Sequence, residues 1–150
     1  MGHVNNAVYL HWVQEAIVAY WRRRSSAQAH SELLWVALKH EITYRLPLFI
    51  DDIAEAFVTA NNTRASRASF TTLFRRGDDL IVEARSTWCC VDAETRRPRR
   101  ISPDIAQLFV SATSRPYAVR LDGCACRQGM RSSMRDLGCP SRMARRVSAR

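Results

Sequence analysis

No apolar run in this 150-residue sequence approaches the ~20 residues that a membrane-spanning helix needs. The longest runs are a few residues, such as Leu33-Leu34-Trp35-Val36-Ala37-Leu38. The opening Met1-Gly2-His3-Val4-Asn5-Asn6 has no basic segment followed by an apolar one, which argues against a signal peptide. Asn6 stands where myristoylation of Gly2 would want Ser or Thr. Lysine is nearly absent: Lys39 is the only one, against 22 arginines, a skew that suggests coding bias rather than selection for a phosphate-binding face. Cysteines number five, and none has the spacing of a zinc ribbon or finger. No internal repeat is present. These absences argue against a membrane-spanning helix and a zinc-ribbon or zinc-finger site, and leave the expectation of a cytoplasmic protein with reduced thiols.

What is present is ordinary for one globular domain: 47% hydrophobic and 25% charged residues. The net charge of +9 suggests nucleic acid until it is located. Residues 1–112 carry 14 Lys and Arg against 12 Asp and Glu, whereas residues 113–150 carry nine Arg against Asp122 and Asp136. The basic character belongs to the tail. That tail is rich in Arg, Ser, Gly and Cys and holds no period of two or 3.6. It is expected to be disordered, because it cannot bury enough apolar area to offset its ordering entropy. Its arginines allow electrostatic binding to nucleic acid. Tyr117 is its only aromatic residue, which leaves no stacking platform, so nucleic acid is not the expected partner.

Between the ends, the hydrophobic period changes once. Asn5 is a helix cap, and Tyr9, Val13, Ala16 and Tyr20 mark one face of a helix from about Asn6 to Arg24. Val8, Trp12, Ile17, Ala19 and Trp21 widen that face until only His11, Gln14 and Glu15 form a polar strip. Such a helix needs wrapping by other structure. Residues 25–32 are polar and predict a loop. From there the period is two. Leu38, His40, Ile42, Tyr44 and Leu46 alternate up to Pro47, and further strands are expected over 52–60, 67–75 and 80–91. Asn61-Asn62-Thr63-Arg64 and Arg76-Gly77-Asp78-Asp79 supply turn chemistry. Leu80, Val82, Ala84 and Trp88 share a face of the last strand. Cys89 and Cys90, adjacent on it, point to opposite faces and are expected to be core or surface thiols rather than a disulfide pair. Pro103 opens a short helix ending near Val110. The fold class is α+β: consecutive antiparallel strands forming a curved sheet around one long central helix.

Gly2-His3-Val4-Asn5-Asn6-Ala7-Val8-Tyr9-Leu10, with Trp12 and Glu15-Ala16 following, resembles the signature of the 4-hydroxybenzoyl-CoA thioesterase branch of the hot-dog superfamily. Ile42-Thr43-Tyr44-Arg45-Leu46-Pro47-Leu48 with Asp51-Asp52, Ser66-Arg67-Ala68-Ser69-Phe70 and Ala84-Arg85-Ser86-Thr87-Trp88 match that family in kind and spacing. The resemblance covers roughly residues 1–110. It implies a hot-dog domain over 1–112 that hydrolyses acyl-CoA thioesters to free acid and CoA. It implies no metal and no cofactor beyond the CoA of the substrate. It also implies a homodimer or homotetramer whose active sites form at subunit interfaces.

The site residues follow from the same resemblance. The backbone N–H at or next to Asn6 falls at the helix N-terminus, where unpaired N–H groups carry partial positive charge and suit a developing oxyanion. Gly2 and His3 shape the loop ahead of it, and His3 is a candidate substrate contact. Arg64, Arg67 and Ser69, with Ser66 beside them, are candidate contacts to the nucleotide end of CoA, against the alternative of a solvated hairpin. Tyr44, on the inward strand face, is expected in the core rather than as a ligand contact, and Trp12, Trp35 and Trp88 are expected in the core or at an interface. The family's catalytic carboxylate lies three residues before the motif glycine, which is upstream of Met1 here, and the family strand ahead of the loop is missing as well. The expectation is a hot-dog chain without its first strand, beginning inside its active-site motif and impaired in hydrolysis. Glu15 is the nearest replacement acid, two and a half helical turns from the loop and so able to serve only a second subunit's site; its alternative is a plain polar helix residue. Other possibilities are a non-catalytic acyl-CoA-binding scaffold, a nucleic-acid-associated protein acting through the tail, and a dehydratase using His3 with Glu15.

Overall fold

α1 (Asn6–Arg24) begins where Asn5 stops being helical, with φ −68° and ψ 144°. The Asn5 side chain accepts the Ala7 N–H at 2.9 Å, which satisfies one orphan donor of the first turn. Tyr9, Trp12, Val13, Ala16, Ile17, Tyr20 and Trp21 are buried, as the widened apolar face requires. Arg22, Arg23 and Arg24 close the helix at its negative pole. The coordinates, a computed structural model, describe residues 2–49, 51–110 and 117–122.

The stretch expected as a loop contains a second helix, α2 (Ala27–Glu32). Ser26 caps it by accepting the Ala29 N–H at 3.2 Å. No residue of α2 is buried, so it left no apolar period to find. β1 (Leu33–Tyr44) starts before the expected Leu38 and stops at Tyr44. β2 (Ile53–Arg64) runs through the expected turn at Asn61–Arg64. β3 (Arg67–Arg76) and β4 (Asp79–Asp92) follow, joined through Gly77 at φ +59°. α3 (Pro103–Val110) lies where Pro103 places it. β5 (Tyr117–Asp122) pairs antiparallel with β2 over Ile53–Val58 and is an ordered piece of the tail expected to be patternless. The rest of that tail, with Cys124, Cys126 and Cys139, lies outside the described residues.

Two bulges explain the misplaced strand ends. Register against β4 slips between Ala37 and Lys39, so Leu38 is an extra residue, 51% exposed, and the inward alternation resumes at His40. Register against β3 slips between Ala60 and Asn62, so Asn61 is absorbed and β2 continues to Arg64. The true turn is Ala65-Ser66. Ala65 takes φ +54°, a left-handed conformation that strains a residue with a Cβ. The Cys90 N–H bonds the Ser66 carbonyl at 2.7 Å and the Ile101 N–H bonds the Ala65 carbonyl at 2.9 Å, which hold the turn in place. Cys89 and Cys90 are both buried and unpaired.

The strands form one antiparallel sheet in the order β1-β4-β3-β2-β5. α1 lies along its inner face. Tyr9 packs edge-on against Phe74 at 6.1 Å near one end, and Tyr20 against Phe70 at 5.8 Å near the other. α3 closes the Tyr20 end: Phe109 stacks on Tyr20 at 6.1 Å and meets Trp35 edge-on at 5.7 Å. The sheet wrapped on a central helix is the hot-dog arrangement. No helix among the described residues is long and apolar enough to cross a membrane.

His40 is the exception in this apolar interior. Its ring stands edge-on to Trp88 at 5.7 Å, and both ring nitrogens are buried without a hydrogen bond among the described residues. Trp88 donates instead to Ser86 Oγ at 3.0 Å. Burial holds the His40 imidazole below its ordinary value of 6.5.

Two outcomes follow. Ala65→Gly removes the left-handed strain and raises stability by about 0.5–1 kcal/mol in urea denaturation. Below pH 6.5 the unfolded chain binds the His40 proton more readily than the folded one, so stability rises with pH there. It is fully present above 6.5 and is lost as pH falls toward the depressed folded value. The carboxylates Asp52, Glu83 and Asp92 titrate below their ordinary 3.8 to 4.5, outside this window. His40→Leu should flatten the melting temperature between pH 5 and 7; an unchanged slope would assign it to another group.

Candidate active site

The first turn of α1 leaves one backbone donor without an acceptor among the described residues. Asn5 takes two donors: its side chain binds the Ala7 N–H at 2.9 Å and its carbonyl the Val8 N–H at 3.0 Å. The Asn6 N–H has no acceptor among the described residues, and Asn6 is exposed. No acidic residue occupies the first turn. A single outward N–H with the helix dipole behind it can stabilise charge that develops on a carbonyl oxygen.

The loop carrying Gly2 and His3 is fixed against the segment between β1 and β2. Val4 N–H bonds the Leu48 carbonyl at 2.7 Å, and His3 forms an isolated antiparallel bridge with Phe49. Val4 and Leu48 are buried, while Gly2 and His3 are exposed. Asp52 braces the far side: its carboxylate accepts the Phe49 N–H at 2.9 Å and binds Arg76 at 2.6 Å. Those two contacts, the backbone donor first, hold the Asp52 carboxyl below the usual carboxylate range. Tyr9 lies next to this brace, and its burial pushes the phenol up.

Tyr44 also belongs to the site. Its hydroxyl donates to the Asn6 carbonyl at 3.3 Å, and its ring packs edge-on against Tyr9 at 5.5 Å. It is 43% exposed, so it is a wall residue of the site rather than the core residue expected from strand alternation. The sequence placed it on the inward face of a strand but gave no sign of its contact with Asn6, because that contact spans 38 positions and exists only once β1 lies beside α1. The Asp52–Arg76 brace was unmarked for the same reason.

The remaining candidates lie elsewhere on the chain. Tyr44, Val82 and Phe74 form one row across β1, β4 and β3, while Arg67 faces Arg64 at the other end of β3. Phe74 lies seven steps along β3 from Arg67, roughly 23 Å. Arg64 and Arg67 are exposed, and Ser69 Oγ donates to the Asn62 carbonyl at 3.4 Å. Glu15 pairs with His11 at 3.3 Å on α1 and does not meet the His3 loop. At the same end as the arginines, the second half of α1 and the start of β1 line a half-open pocket of about 360 Å³. Trp21, Leu33 and Trp35 line it, with Arg22 and His30 among its polar groups. His30 Nε2 and Ser25 Oγ share a hydrogen bond of 2.7 Å there. Among the described residues, no group of three or more His, Cys, Asp or Glu side chains is placed to hold a metal ion.

Comparison with known proteins bears on the fold. The fold is similar to that of a Thermus thermophilus thioesterase solved with coenzyme A and Zn, with a TM-score of 0.66, 22% identity and coverage of 77% of this chain and 85% of that one. A probable thioesterase from Escherichia coli gives 0.63 at 20% identity, covering 71% and 84%. A gentisyl-coenzyme A thioesterase gives 0.64 at 12% identity, covering 73% and 88%. No curated protein matches the sequence. The family description "thioesterase-like superfamily" matches residues 1–109, the stretch that carries α1, β1 to β4 and most of α3, and the chain belongs to that superfamily.

Proposed function

We propose that this chain hydrolyses acyl-CoA thioesters, releasing a free acid and CoA. The observation that carries the proposal is the Asn6 N–H, the donor that Asn5 leaves open at the start of α1. A thioester carbonyl placed there would have its oxygen on the Asn6 N–H and its acyl carbon open to water. The tetrahedral oxyanion gains more from that donor than the ground-state carbonyl does, and this difference lowers the barrier. Collapse then breaks the C–S bond and expels the CoA thiolate. Tyr44 and the His3 loop fix the site's walls. The solved thioesterase with bound coenzyme A supports CoA as the carrier. The assembly proposed is a homodimer or a pair of dimers.

A scaffold that binds acyl-CoA without turnover is favoured by one observation. Asp52, the carboxylate tied to the site loop, is already committed to Phe49 and Arg76 and is poorly placed to activate water.

Asn6→Pro separates the two. Proline suits the first helical position, and Asn5 already has the extended backbone that a following proline demands. The substitution therefore deletes the N–H and keeps the helix. With a panel of acetyl-, octanoyl- and benzoyl-CoA, thiol release should fall about 10²–10³-fold while circular dichroism stays unchanged. Wild-type turnover that Asn6→Pro leaves intact would remove the oxyanion role. Tight binding of a non-hydrolysable acyl-CoA thioether with no wild-type turnover would establish the scaffold instead.

A further inference from the structure

The segment between β1 and β2 belongs to no strand, yet it is held along its length. At its start the Arg45 and Leu46 N–H groups both donate to the Ile81 carbonyl, at 2.9 and 3.2 Å. At its middle Leu48 accepts the Val4 N–H at 2.7 Å. At its end the Asp52 N–H donates to the Phe49 carbonyl at 3.1 Å, and the Asp52 carboxylate accepts the Phe49 N–H at 2.9 Å. Both backbone polar groups of Phe49 are thus bonded to Asp52. Arg76 fixes Asp52 in turn: its guanidinium meets the carboxylate at 2.6 Å and Asp79 at 3.4 Å. Arg76 and Asp79 face each other where β3 turns into β4, so the grip on Phe49 is anchored in the end of the sheet.

The grip decides where Phe49 stands. Facing residues of an antiparallel bridge point the same way, and successive residues point opposite ways. Val4 and Leu48 point inward, at 5% and 1% exposure. His3 and Phe49 face each other across the bridge and turn outward together, and Phe49 is 50% exposed. His3 stands three residues before Asn6, so the Phe49 backbone is at most about 16 Å from the open N–H. Leu46 at 42% and Ile53 at 44% exposure extend the apolar surface along the same segment. An apolar surface of this kind beside a polar donor marks a place that something covers.

We infer that Phe49 is the residue that meets the acyl group of the substrate, and that Asp52, anchored by Arg76, is the positioning residue that holds it there. The inference rests on the proposed hydrolase reading. An acyl group whose carbonyl sits on the Asn6 N–H lies beside Phe49 and Leu46. Covering them removes apolar area from water, so this wall favours long or aromatic acyl groups over acetyl. Asp52 performs no chemistry of its own. Its carboxylate accepts an N–H and a guanidinium at once, which an apolar or basic side chain cannot do. Those two partners, the backbone donor first, also keep it ionised.

The octanoyl-CoA to acetyl-CoA ratio of kcat/KM, measured on one preparation in the full chain, tests this. Any loss of folded protein cancels from the ratio. Phe49→Ala should lower it about tenfold. Asp52→Ala should lower it by a similar factor. Asp52→Asn, whose amide oxygen still accepts the Phe49 N–H, should restore most of it. Asp52→Ala with Phe49→Ala should fall no further than Phe49→Ala alone, since the two act through one contact. A ratio that Phe49→Ala leaves unchanged overturns the acyl contact; if that variant also loses self-association in sedimentation equilibrium, the surface belongs to a second copy instead. A ratio that Asp52→Ala leaves unchanged, or losses that add in the double variant, overturn the positioning role. Absence of turnover in the wild-type chain withdraws the hydrolase reading. The affinity ratio of octyl-CoA to methyl-CoA thioethers, measured by calorimetry on the same variants, then decides the contact by the same criteria.

Discussion

Covering α1 is the constraint on which the rest of the structure depends. Seven of its nineteen residues are buried large or small apolar groups, and they spread around most of the helix. One flat sheet face could not cover them. The inner faces of β2, β3 and β4 take the middle, Phe109 of α3 takes the Tyr20 end, and Leu48 with Val4 takes the first turn. Holding the helix at both ends fixes its first N–H groups relative to Tyr44 and the His3 loop. A donor fixed in this way needs no reorganisation when charge develops beside it, and that is where its advantage over water lies.

Much of this was legible in the residues. α1 and α3 fall where Asn5, Pro103 and the 3.6-residue period place them, because caps and periodicity are local signals. The strands were legible as strands, while their ends were not. Asn61-Asn62 has turn chemistry, yet the chain absorbs Asn61 as a bulge and turns at Ala65-Ser66, where no residue advertises a left-handed conformation. That turn is decided by partners far along the chain, Cys90 and Ile101. α2 escaped notice because a helix with nothing to bury has no hydrophobic period.

The site divides along the same line. The Gly2–Asn6 motif was visible because it is a run of consecutive residues. Tyr44 and the Asp52–Arg76 brace were not, since each acts across strands whose adjacency only the folded sheet creates. Arg64 and Arg67 were legible as exposed cations, but the distance separating them from Asn6 is a property of strand length and cannot be read from residue type.

The near-absence of lysine has a chemical consequence of its own. Thioesters acylate free amines without help from an enzyme, and a protein that gathers them exposes its own surface to that side reaction. A guanidinium stays protonated at any physiological pH and is a poor nucleophile, so arginine can bind phosphate without being acylated. With Lys39 the single ε-amine against 22 arginines, this chain offers almost no target. The one it does offer lies on β1, the last strand in the sheet order among the described residues, and is held in an ion pair with Glu41 at 2.9 Å.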